Sequence, residues 1–145
     1  MDSLCQRLAL TACLAMLAPS GVAAQAVGSE PEVIEGRCSY SEDLAPLLEQ
    51  GHVFIECDRK VIRRAGSEAE IAFTYPSRLR SIEFRGGFTR TDRFEISAIR
   101  LRSQREWAEA EGQCEFGRLG RERTKVTCLV KDGPHFFLVN FIHDS

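Results

Sequence analysis

The chain has 145 residues, 28% charged and 43% hydrophobic, with 19 Lys+Arg against 21 Asp+Glu. That length fits one domain, and nine Phe in such a composition argue against a disordered chain. A net charge of −2 gives no drive towards nucleic acid, and no apolar run reaches the ~18–20 residues of a membrane-spanning helix.

Residues 1–26 read as a secretory signal peptide. Arg7, the only basic residue in the first 36, precedes an apolar run from Leu8 to Ala18, and Pro19-Ser20-Gly21 breaks it. Ala24-Gln25-Ala26 fits the small-x-small rule, so cleavage is expected after Ala26. Leu10-Thr11-Ala12-Cys13 resembles a lipoprotein box, but the apolar run continues past Cys13, which reads better as part of the leader core. The mature chain is then periplasmic or secreted.

Residues 27–145 form the expected single domain. Residues 27–36 are polar and order towards Val33. A short helix is expected from Asp43 to Gln50, with Leu44, Leu47 and Leu48 on one face, Pro46 in its first turn and Gly51 as its stop. Strands are expected over His52–Asp58, Glu70–Tyr75, Ser81–Arg85 and Arg93–Arg102, with Gly86-Gly87 as a turn. The inward phase of the last strand slips from Phe94, Ile96 and Ala98 to Ile99 and Leu101, which predicts a bulge or bend near Ala98. Ser103-Gln104-Arg105-Glu106 matches a capping box, predicting a second helix from Gln104 to Glu111. Strands over Gln113–Phe116, Thr124–Lys131 and His135–Ile142 finish the chain, with a turn at Asp132-Gly133-Pro134. The last is apolar on both faces and should be covered on both. The expected fold is mainly β (α+β): one small antiparallel domain with one or two short helices.

Removal of the leader takes Cys5 and Cys13 and leaves Cys38, Cys57, Cys114 and Cys128. Four cysteines in an exported chain imply two disulfides in one of three pairings. The sequential pairing, Cys38–Cys57 and Cys114–Cys128, is favoured because each closes a local loop, and each should contribute ~3 kcal/mol in the chain-entropy model. No two are close enough for a zinc knuckle, and no Cys-x-x-Cys suggests redox work. Glu35-Gly36-Arg37-Cys38 parallels Glu111-Gly112-Gln113-Cys114, which raises the idea of a degenerate internal duplication.

No motif names a reaction or a cofactor. His135 and His143 sit eight residues apart on one strand, about 27 Å, too far to share a metal. His52 follows a helix stop and is expected to be exposed. Gly-x-Ser-x-Gly and phosphate-loop glycine patterns are absent, and Glu56 with Glu70 is the one carboxylate pair that could meet across strands. Charge is uneven, however. Residues 27–75 carry five basic and ten acidic residues, whereas 76–105 carry eight arginines (Arg78, Arg80, Arg85, Arg90, Arg93, Arg100, Arg102, Arg105) against three acids. Arginine forks match phosphates and carboxylates. Arg85, Phe88, Arg90 and Arg93 are therefore the candidate contact for an anionic envelope ligand or protein, opposed by the plainer reading of a solvated face paired with the acidic first half. The function expected is a non-catalytic binding or accessory module of the bacterial envelope; the alternative is a small periplasmic hydrolase with a carboxylate or histidine site. Oligomeric state is left open.

Overall fold

The computed structural model describes residues 29–76 and 79–145. The leader, its cleavage site, Cys5, Cys13 and Arg78 lie outside the described residues. Alternating apolar positions drive most of the rest into strands. In chain order these are β1 (Glu32–Glu35), β2 (Arg37–Cys38), β3 (Val53–Phe54), β4 (Arg59–Ala65), β5 (Glu68–Thr74), β6 (Arg80–Arg90), β7 (Arg93–Leu101), β8 (Ala108–Leu119), β9 (Arg123–Asp132) and β10 (His135–Asp144).

From β4 to β10 the strands form an antiparallel meander, each pairing with the next. The two ends of this meander share a neighbour. β1 pairs with β4, β2 pairs with β10, and only Gly36 separates β1 from β2. One bent strand therefore joins the first and last members of the meander and closes the sheet into an eight-membered barrel. Closure removes the free edges that an open sheet exposes. Gly36 is required at the crossing: a Cβ there would lie 2.5 Å from the Ile142 carbonyl oxygen and 2.5 Å from the Phe141 ring. Backbone bonds seal the seam, with Gly36 N–H donating to Asp58 O (3.0 Å), Cys38 N–H to Cys57 O (2.7 Å) and Ser39 N–H to Asn140 O (2.9 Å).

Side chains fill the interior, as expected of a barrel of this size. Phe73, Phe84, Phe94, Phe141, Ile71 and Ile99 are fully buried. Phe73 packs against Phe84 and Phe141 with ring centres 6.1 and 5.9 Å apart. Lys60, only 3% exposed, is inserted among them, its Nζ 5.3 Å and 5.8 Å from the ring centres of Phe116 and Phe141.

Both expected disulfides are present. Cys114–Cys128 links directly opposed residues of β8 and β9, with Cα atoms 4.0 Å apart. Cys38–Cys57 ties the closing strand to the segment entering β4, with Cα atoms 4.9 Å apart. Gly36 and Gly112 each lie two residues before a bridged cysteine and each leaves no room for a Cβ against a neighbouring backbone. The bridges themselves differ in setting: one spans a hairpin and the other a helical excursion.

That excursion is the expected first helix, a 3-10 turn (Glu42–Leu44) running into α1 (Ala45–Glu49). Leu44 and Leu47 are half-buried while Leu48 is exposed. Gly51 ends it at φ 85°, a left-handed conformation that favours glycine. Tyr40 fastens the excursion: its hydroxyl bridges Ile55 O (2.6 Å) and Leu138 O (3.0 Å), and its ring stacks on Phe54. Burial pushes its pKa up to about 12.

The expected bulge is found in β7. Its pairing shifts between Ile96 and Ala98, on the β8 side and opposite Gly86 of β6. β10 has neighbours on both sides and Leu138 on its outer face is 5% exposed, as its doubly apolar pattern implied. Three expectations need correction. Gln104–Glu111 is no helix: residues 102–106 form a turn and Ala108 already pairs with Ile99. Eight residues of helix have little stability of their own, and pairing along β7 overrides the capping signal. Gly86-Gly87 is not a turn but the middle of β6. His52–Asp58 contributes only the two residues of β3, and β4 follows it where the buried Lys60 and its flanking arginines mask the alternation.

Candidate functional site

The arginine-rich segment supplies β6 and β7, whose hairpin turns at Thr91-Asp92. The strand pairing sends its members to different places. Arg85 lies on the outer face beside Glu70, its partner in register, and donates to Glu70 Oε1 at 2.8 Å. Its guanidinium also sits 4.2 Å from the Trp107 ring centre, and Arg100 stacks on the same indole at 4.5 Å. Arg100 in turn donates to Glu83 (2.6 Å), a carboxylate 3% exposed that Arg80 also holds at 3.1 Å. Glu83 raises the pKa of Arg100 further. This is a structural lattice that fixes Trp107 over β6 and β7. It accounts for Arg80, Arg85 and Arg100 in the manner of a paired face.

Phe88 turns the other way. It packs on Phe94 and Phe116, with ring centres 5.1 and 5.5 Å apart, and Arg64 covers it at 4.2 Å. It is a half-buried plug.

Arg90 and Arg93 stay together, paired in register across the hairpin. They line an outer groove of about 460 Å³ with Arg118 and Lys125 from β8 and β9, and with Asp92, Glu115 and Thr127. Asp92 is engaged by Arg90 at 3.1 Å and Glu115 by Arg93 at 3.2 Å. Four cations thus face two carboxylates, both already committed. Such a groove can take a polyanionic or carboxylate-bearing surface through forked hydrogen bonds. Arg118 and Lys125 were not among the expected contacts. They lie 25 and 32 residues downstream of Arg93, and only the order of the meander brings them beside the hairpin.

The remaining chemical candidates are dispersed. His52 hydrogen-bonds Leu47 O at 3.0 Å and stacks on Phe136. His135 begins β10, whereas His143 near its end contacts the Thr124 hydroxyl. Glu70 is held by Arg85, while Glu56 lies in the irregular segment between β3 and β4. Among the described residues, no group of three or more His, Cys, Asp or Glu is placed to hold a metal, and no helix is long and apolar enough to cross a membrane. No family model, curated protein or solved structure matches this chain.

Proposed function

We propose that this chain is an exported binding module of the bacterial envelope that docks an anionic partner in the groove formed by Arg90, Arg93, Arg118 and Lys125. The observation that carries the reading is the charge of that groove: four cations on four adjacent strands around two carboxylates that are already paired. The barrel supports it by holding the four Cα positions on paired strands, so little ordering entropy is lost on docking. Phe88, packed beneath the hairpin, fixes its angle. Two disulfides accord with work in an oxidising compartment.

The test is retention of the purified protein on a bacterial envelope fraction at low and at moderate salt. Reversal of Arg90, Arg93 and Lys125 to Glu should abolish retention. Reversal of Arg102, Arg105 and Arg121, an equal charge change outside the groove, should leave most of it. Equal loss in both variants would reduce the effect to net charge and sink the proposal.

A further inference from the structure

A second groove lies on the outer face of β1, β4 and β5, away from the cationic one. It has a volume of about 490 Å³ and is lined by Pro31, Val33, Val61 and Ala72, with Arg59, Arg63, Thr74 and Arg80 around them. Its floor is built by register: Val33 opposes Val61, and Val61 opposes Ala72. Val33 remains 53% exposed on that floor. One step along, Arg59 opposes Thr74, and Thr74 opposes Arg80.

Among the described residues, two polar atoms at that step have no hydrogen-bond partner. Thr74 is only 6% exposed, yet its hydroxyl makes no hydrogen bond. Arg59 engages Glu35 through Nη2, but its Nε–H is buried without an acceptor. Buried donors are nearly always satisfied, because an unmet one forfeits its hydration with no return. Both orphans can donate, both belong to one groove, and what they lack in common is an acceptor. A carboxylate oxygen is such an acceptor, and its second oxygen can take a further guanidinium hydrogen. Arg59 pairs with Glu35 and Arg80 shares Glu83 with Arg100, so the three arginines outnumber the carboxylates paired with them. The apolar floor beside this anchor suits a hydrocarbon body.

We infer that this groove binds a small monocarboxylate with an aliphatic body, its head group on Arg59 and Thr74 and its chain along Val33, Val61 and Ala72. The volume suits a ligand of roughly ten heavy atoms. The unsatisfied hydroxyl is then a binding feature that the free protein tolerates at the expense of its own stability.

Titration of the intact protein with octanoate, followed by calorimetry and amide chemical shifts, tests this. Octanoate should shift Val33, Val61, Ala72 and Thr74, and 1-octanol should bind at least tenfold more weakly. Thr74→Val should weaken octanoate at least tenfold while raising the thermal midpoint, since it deletes an unmet hydroxyl. Arg59→Lys, which keeps the charge but loses the Nε–H, should weaken it in the same way. Equal affinity for octanoate and octanol, no shifts at millimolar octanoate, or a Thr74→Val variant that melts lower and binds unchanged would each overturn the assignment. Reversal of Arg90, Arg93 and Lys125 should leave octanoate binding intact, so the two grooves fail independently.

Discussion

Lys60 is a charge placed where the barrel is otherwise aromatic and aliphatic. Its contacts with Phe116 and Phe141 return ~0.5–2 kcal/mol, while desolvation of the ammonium costs more. Accordingly burial, the largest influence, lowers its pKa below 10.5, with Glu32 opposing and Arg64 adding to the fall. Below the folded-state pKa both the folded and unfolded chains carry the proton, and the whole penalty is present. Between that value and 10.5 the unfolded chain binds more protons, so this group makes stability rise with pH. Tyr40 acts in the opposite sense: its folded pKa of about 12 against 10.0 gives stability that is lost as pH climbs from 10 to 12. Lys60→Met, which keeps length and removes charge, should raise the urea midpoint by an amount equivalent to about 1–2 kcal/mol at pH 7. The gain should shrink as pH approaches 10.5, and unfolding titrations of both proteins at pH 7, 9 and 10 would show it. A gain independent of pH would mean that Lys60 is not the titrating group.

Gly36 decides whether β1 and β2 behave as one strand. Gly36→Ala should destabilise the fold by about 2–4 kcal/mol, because its Cβ meets backbone oxygen and the Phe141 ring, neither free to withdraw. Gly117→Ala, an in-strand control with nothing within 4 Å of the new Cβ, should change stability by less than about 1 kcal/mol. Chemical denaturation of the two variants makes the comparison. The sequence reveals Gly36 as a glycine before a cysteine but not its role, since the atoms it must avoid belong to residues 141 and 142. The same distinction governs the other elements. β5, β7 and β9 were legible because their alternation is local, β10 because its apolar run is continuous, and the bulge because a phase slip is local too. β4 was hidden because Lys60 occupies an inward position that alternation assigns to an apolar residue. Residues 104–111 carried a real local helix signal that was overruled by partners on β7. In the cationic groove, Arg90 and Arg93 were legible as neighbours in a hairpin. Arg118, Lys125, Arg59 and Thr74 needed the strand order and register before they could be placed.

The whole barrel is held by two bridges of different reach. Cys114–Cys128 reinforces strands already hydrogen-bonded along their length, whereas Cys38–Cys57 anchors the strand that closes the ring. Their loops are similar, so each should contribute about 3 kcal/mol on chain entropy. Their removal should nonetheless look different by hydrogen exchange. Loss of Cys38–Cys57 by paired serine substitution should speed exchange at Gly36, Cys38 and Ser39 while Val126 to Val130 stay protected. Loss of the other bridge should spare the seam amides. Uniform acceleration in both variants would show that the closing strand has no separate opening. A ring closed by one strand has a further consequence. Were residues 32–38 to detach, β4 and the end of β10 that β2 covers would each present a bare edge, and the freed strand would fit the same gap in a second molecule. The bridge that staples the seam is thus also a guard against strand exchange between chains, and a reducing environment would expose the molecule to linear, head-to-tail polymerisation through its own clasp.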